Sequence, residues 1–203
     1  MVLSLNSLAL ERKGKSIFSG LSLSLDRGEF LHVLAPNGTG KTSLLRVLSG
    51  SLAPTRGRCQ VEGFDIVSSR EKALSHIGFV PSDAPFWAGY TVLGQLLAYA
   101  RLKGLDKRAA IERSQELIEG LDLAPYAQSP AIRLSGGYRK RLALALALVH
   151  RPSLLLLDEL SAGLDPDWQK SFASLVRELS PLSATLSASN RLEEALCGDV
   201  LFL

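Results

Sequence analysis

Along the first 34 residues apolar and polar side chains alternate, with Leu3 and Leu5 and later Leu21, Leu23 and Leu25 in step, before the short apolar run Phe-Leu-His-Val-Leu at 30–34. A period of two predicts strands. Two more strand-like runs, Cys-Gln-Val and His-Ile-Gly-Phe-Val, lie between 58 and 81. The period then changes. Val92, Leu93, Leu96, Leu97 and Ala100 recur at helical spacing, as do Ile111, Ser114, Leu117, Ile118 and Leu121, which predicts a helical subdomain inserted over about 85–145. From 135 follow a Gly-rich turn, a long Leu/Ala helix, Pro152, the run Ser-Leu-Leu-Leu-Leu-Asp-Glu, a helix expected at about 166–179 and short terminal strands. Four leucines without alternation predict a strand buried on both faces, as in a parallel sheet covered by helices. The fold class is therefore α/β with a helical insert.

Length and charge narrow this only a little. At 203 residues the chain is one large compact domain, 1–203, with enough surface to bury a core. Its 23 Lys+Arg against 20 Asp+Glu leave a net charge of +3, spread along the chain, so a nucleic-acid partner is only weakly suggested. Cys59 and Cys197 have no ligand-like spacing and fit reduced core thiols. His32, His76 and His150 share no metal-binding spacing and are expected to be packed in place. The N-terminus lacks the positive start and cleavage region of a signal peptide. The most apolar runs, 142–149 and 154–157, are separated by His150, Arg151 and Pro152 and fall far short of a membrane span.

Candidate chemistry begins with Ala-Pro-Asn-Gly-Thr-Gly-Lys-Thr at 35–42. It matches the G-x-x-x-x-G-K-[ST] phosphate loop except that Ala35 replaces the first Gly. Gly38 and Gly40 can adopt backbone angles closed to other residues, so that successive N–H groups from Asn37 through Thr39 to Ser43 face inward as an anion nest at a helix N-terminus, with Pro36, which has no N–H, at the start of the loop. Lys41 would reach the β- and γ-phosphates, and Thr42 would offer its hydroxyl to Mg²⁺. A chance glycine-rich turn is the plain alternative; the strand before and the helix after argue against it.

Two later segments narrow the class. In Arg-Leu-Ser-Gly-Gly-Tyr-Arg-Lys-Arg at 133–141, Ser135, Gly136 and Gly137 open a helix without a lysine, and about twenty residues on, a buried strand ends in Asp158 and Glu159. In that order and spacing, the three motifs resemble the ATP-binding subunit of an ABC transporter over essentially the whole chain. The resemblance implies a P-loop NTPase (RecA-like) core with an N-terminal antiparallel β subdomain, Mg²⁺ and ATP as ligands, and ATPase activity. It assigns Asp158 to Mg²⁺ and Glu159 to the attacking water. Residues 161–165 look like the D-loop, and 134–138 like the signature motif, with Tyr138 where Gln is usual. Among subfamilies, the N-terminal segment and short length look most like the ATPase of the haem exporter of cytochrome c maturation.

Three positions depart from the family. Ser82, followed by Asp83, stands where a Gln usually touches Mg²⁺ and water; Asn190 stands where a His is usual, and an Asn can hydrogen-bond a phosphate oxygen but carries no charge. Near the first hairpin the aromatic that usually stacks on adenine is missing; Glu11, Arg12 and Lys13 occupy that neighbourhood, and Arg12 could stack through its guanidinium plane. Losing positioning groups should slow hydrolysis more than binding.

The resemblance also implies a head-to-tail homodimer or heterodimer, with each ATP between one subunit's phosphate loop and the other's signature helix, and an integral membrane permease that holds the chain at the inner face of the cell membrane. Phe86, Trp87 and Tyr90 form either a contact patch or packing beneath the insert, and the family's permease contact in this region favours the first. The run Arg139, Lys140, Arg141 is expected to be mainly a solvated helix face. The alternatives are a nucleotide-gated subunit without useful hydrolysis, or a soluble member of the family acting on nucleic acid or the ribosome.

Overall fold

The computed structural model describes residues 1–159, 174–176, 178, 181–190 and 199–202. Strands β1 (Leu3–Arg12), β2 (Lys15–Leu25), β4 (Arg56–Val61) and β5 (Phe64–Asp65) form an antiparallel sheet in the order β2-β1-β4-β5. Strands β3 (Phe30–Leu34), β6 (Ile77–Val80), β7 (Leu154–Asp158), β8 (Ala184–Ser189) and β9 (Asp199–Phe202) form a second sheet in the order β6-β7-β8-β3-β9, parallel throughout. Helix α1 (Lys41–Leu48) follows β3, and α2 (Arg70–Ser75) precedes β6. Helices α3 (Val92–Leu102), α4 (Lys107–Gly120) and α5 (Gly136–Leu148) lie between β6 and β7.

The four leucines of β7 show why the core has two halves. Successive strand residues point to opposite faces. Leu154 and Leu156 pack with the antiparallel sheet and α1, whereas Leu155 and Leu157 pack with α3, α4 and α5. Both faces are covered, so all four are fully buried, and replacing any one by Ala should cost about 2–5 kcal/mol. Gly78 in β6 lets α5 come close: a Cβ there would run into the Ala147 carbonyl.

Local chemistry sets the helix boundaries. The Leu-Ala run of α5 alternates like a strand, yet both residue types rank high in helix propensity; with Leu142, Ala143, Leu144, Ala145, Ala147 and Leu148 all buried, it forms a helix enclosed on most sides. Thr91 caps α3 by accepting from the Gly94 N–H at 3.0 Å, and Asp106 caps α4 by accepting from the Ala109 N–H at 2.8 Å, filling donors that would otherwise be orphaned. Helix α2 escaped the hydrophobic pattern because Ala73 is its only buried residue. The helix expected at 166–179 and the 161–165 segment lie outside the described residues, apart from 174–176 and 178, which are helical. Cys197 also lies outside them; Cys59 is buried, and burial pushes its thiol up to about 12, as an inert core residue requires.

The histidines are packed as expected. His32 is buried, with Nδ1 2.6 Å from the Ser187 hydroxyl. His76 stacks on Phe64. His150 lies 3.1 Å from the Ile77 carbonyl through Nε2, and desolvation, helped by the charge of Lys103, pushes its pKa down to about 4.

Candidate functional site

Strand register gathers the site at one edge. Leu34 of β3 pairs with Ser189 of β8, and Asp158 of β7 pairs with Ala188. Val80 of β6 lies beside Leu157. The phosphate loop leaving β3, the carboxylates ending β7, Asn190 just past β8 and Ser82 two residues past β6 therefore share the carboxyl edge of the parallel sheet, where open α/β sheets place their ligands.

The loop is held from behind. Gly38 and Gly40 have φ of 83° and 111°, in the left-handed half of the map where a side chain is strained. A Cβ on Gly40 would also lie 2.5 Å from Ile17 Cγ2 on β2. Glycine is thus required twice over. Ala35, by contrast, is buried and has no positive φ, so the missing first glycine costs nothing here. The Thr39 hydroxyl donates to the Pro36 carbonyl at 2.8 Å and closes the turn. Asn37 is exposed; its Oδ1 accepts from Asn190 Nδ2 at 3.1 Å. Ser43 lies in the first turn of α1, which contains no acidic residue, so nothing in that turn answers the positive end of the helix dipole.

Lys41 is only 5% exposed. Its ammonium donates to the carbonyls of Ala35 at 2.6 Å and Pro36 at 3.0 Å, and of its three donors the third has no partner among the described residues. The Thr42 hydroxyl lies 3.3 Å from Asp158 Oδ1 and donates to it, although 116 residues separate the two in sequence. Asp158 is 1% exposed, and its Oδ2 has no hydrogen-bond partner among the described residues. Burial holds its carboxyl above the usual range; the Thr42 hydrogen bond opposes that rise, and the neighbouring Glu159 charge adds to it.

A buried carboxylate oxygen with no donor is costly unless a cation meets it. The Thr42 hydroxyl and the Asp158 carboxylate form the oxygen-rich, partial ligand set that Mg²⁺ would complete with substrate phosphates and water, while the open loop N–H groups suit the phosphates. Glu159 follows at φ 50°, its N–H donating to the Ala188 carbonyl at 2.9 Å. That left-handed turn swings the second carboxylate off the line of β7.

Ser82 shares that sheet edge, whereas the remaining predicted residues lie apart from it. Ser135 and Gly136 are exposed, Gly137 is half-buried, and a Cβ on either glycine would meet open space; Ser135 makes no side-chain cap bond. Ser82 is exposed. Arg12 ends β1, exposed and paired with Lys15. Beside Gly38 and Thr39 runs an open groove of about 570 Å³ lined by Ser16, Ile17, Phe18 and Phe202 among others. Phe202 went unnoticed in the sequence because it is 162 residues past Gly40 and only strand pairing, Leu34 with Phe202, brings it here.

One expectation is corrected. The basic run is not mainly a solvated face: Arg139 donates to the Ile132 carbonyl at 2.7 Å, Lys140 to the Glu159 carbonyl at 3.3 Å, and Arg141 to the Leu121 carbonyl and Asp122. Consecutive helix positions point about 100° apart, so three neighbours reach three segments. Arg141 also lies over the ring of Tyr138, which packs against Tyr126 at 4.3 Å. Of the aromatics near 86–90, Phe86 packs into the helical core while Trp87 and Tyr90 stay 41% and 45% exposed.

Residues 18–162 match the family described as ABC transporter. The chain is 35% identical over 179 residues to ABC transporter A family member 7 of Arabidopsis thaliana, covering 87% of this chain and 19% of that protein. It is 32% identical over 206 residues to YdbJ of Bacillus subtilis, an uncharacterized ABC transporter ATP-binding protein, covering 100% of this chain and 66% of the other. Among solved structures it resembles cbiO1 from Clostridium perfringens, part of the ABC transporter complex cbiONQ, at 27% identity and a TM-score of 0.85, covering 99% and 84% of the two chains. The chain spans about a fifth of the plant relative's length.

Proposed function

The chain belongs to the ABC transporter family and is an ATP-binding, ATPase-type domain, and we propose that it binds and hydrolyses Mg-ATP in a head-to-tail dimer to drive a membrane permease. The observation that carries this reading is the meeting of Thr42 and Asp158 beneath the phosphate loop, with a buried carboxylate oxygen left unpartnered. Lys41, the loop N–H groups and the N-terminus of α1 hold the phosphates, and Thr42 and Asp158 hold Mg²⁺. When bound, the ion would neutralise phosphate charge.

The chain's own residues supply the rest. Glu159 orients and polarises the attacking water, and Asn190, one hydrogen bond from the loop, sits at its γ-phosphate end. Ser82 stands at the same edge of the parallel sheet, two residues past β6. The base leaves the loop along the groove of Ile17, Phe18 and Phe202, with Arg12 beyond it. Ser135, Gly136 and Gly137 face outward with open space over the glycines, which supports their use by a second subunit's nucleotide.

Among the described residues no helix is long and apolar enough to cross a membrane, so a transport role runs through a separate membrane-spanning segment, with this domain at the inner face. An open cleft of about 410 Å³, lined by Leu74, Phe79, Pro85, Trp87, Tyr99 and Leu146 among others, supports permease docking; Trp87→Ala should weaken co-purification with the permease and spare ATP binding. The deciding experiment is Mg-ATP turnover at high protein concentration against Glu159→Gln. Turnover above that variant supports the reading; ATP binding without turnover supports a nucleotide-gated subunit, which the uncharged Asn190 favours.

A further inference from the structure

Three cations in a row open α5, and they do different work. Arg139 and Arg141 tie the helix to neighbours within its own layer, the Ile132 carbonyl and the 121–122 turn. Among the described residues, Lys140 is the one of the three that reaches the end of β7, where its ammonium donates to the Glu159 carbonyl at 3.3 Å. Both side chain and acceptor are partly buried, which limits competition from water.

What it holds is an unusual backbone. Glu159 has φ 50°, a region that L-residues other than Gly, Asn and Asp seldom occupy. Such a conformation persists only where its surroundings enforce it. Here the Glu159 N–H is tied to the Ala188 carbonyl of β8 at 2.9 Å and its carbonyl to Lys140. One restraint comes from the sheet. The other comes from the helix whose first turn carries Ser135, Gly136 and Gly137, only three residues from Lys140 at the nearest.

We propose that Lys140 is a positioning residue: it fixes the peptide of Glu159 and thereby couples the placement of the signature helix to the aim of the hydrolytic carboxylate in the same chain. The proposal rests on the hydrolytic reading of Glu159. A helix seated correctly against a second subunit then presents the carboxylate to water, and a displaced one pulls on its main chain. In this proposal Lys140 acts through the Glu159 main chain. Its effect belongs on the chemical step, whereas ATP affinity is set at the phosphate loop that leads into α1.

The test is single-turnover and steady-state hydrolysis of Mg-ATP by the purified chain with Lys140→Met, Lys140→Arg, Glu159→Gln and the double variant Lys140→Met/Glu159→Gln, alongside ATP titration and thermal melts. Lys140→Met should lower kcat about tenfold or more with KM within about twofold, the split expected of a group acting after binding. Lys140→Arg, which keeps charge and donors, should recover most of that loss. In the Glu159→Gln background the Met substitution should change nothing further, because residues acting as a unit are non-additive.

Full turnover in Lys140→Met beside an inactive Glu159→Gln overturns the inference and leaves the hydrolytic reading intact. A parallel fall in kcat and ATP affinity, a melt lowered equally in Lys140→Met and Lys140→Arg, or no recovery with Arg also overturns it, in favour of a plain structural role. An active Glu159→Gln removes the hydrolytic reading, and the inference with it.

Discussion

The phosphate loop at 35–42 and the signature turn at 134–138 are both glycine-bearing segments that open a helix with no acidic residue in its first turn, yet they are finished to different degrees. In the first, two glycines take φ of 83° and 111°, Ile17 presses on Gly40 from behind, and a buried lysine is tied to two loop carbonyls. In the second, neither Gly136 nor Gly137 has a positive φ, open space lies over both, and the cations that follow are turned to neighbouring carbonyls. A helix N-terminus attracts anions in either place. Only where the surrounding structure shapes and backs the turn does it become a finished cradle; the signature turn has the donors without the walls, which under the proposed dimer a second subunit would bring.

The largest expected effect breaks the finished half. Lys41→Ala should weaken ATP binding by about 100-fold or more, the loss of charge-assisted hydrogen bonds to phosphate, read by titration with a fluorescent ATP analogue; unchanged affinity would remove the loop from the nucleotide site. Next, Gly137→Asp should leave the affinity of the isolated chain within about twofold but cut turnover by about 100-fold, since a like charge across a subunit contact costs a few kcal/mol. Equal losses in affinity and turnover would mean that one chain uses both turns for one nucleotide.

A smaller effect separates function from stability at the edge of the loop. Asp158→Asn should abolish Mg²⁺-dependent hydrolysis while raising the melting temperature of the nucleotide-free chain by a few degrees, about 1 kcal/mol for each 2–4 °C at this size. Burial raises the native pKa of Asp158 above its unfolded value, so the ionised carboxylate opposes folding at neutral pH, and this penalty disappears as the pH falls through the native pKa toward the unfolded value of about 3.9. The gap between variant and parent in thermal melts should therefore shrink on acidification; a constant gap would assign it to packing.

The smallest effect compares two candidate platforms for the base. Phe202 lines the groove beside Gly38 and Thr39, and Arg12 sits at the exposed hairpin end. Phe202→Ala should lower ATP affinity about five- to tenfold, within the ~1–3 kcal/mol of base–aromatic stacking, and Arg12→Ala less. The reverse order would return the base to the hairpin.

The sequence by itself determined the phosphate loop, the paired carboxylates and the two-faced strand, because each is a short-range pattern: glycines and a lysine at fixed spacing, two acids after four leucines, helical repeats in the middle. It also placed Gly38 and Gly40 where left-handed backbone is needed. Tertiary structure decided what those patterns meet. Thr42 finds Asp158 across 116 residues, Asn190 finds Asn37 across 153, and Phe202 reaches the groove, all through strand order β7-β8-β3-β9, which no local period encodes. The basic run shows the same limit: three cations on a helix look solvated until the carbonyls of 121, 132 and 159 are folded against them. Side-chain identity sets what a group can bond to; only the packed chain sets which partner is within 3 Å or so of it.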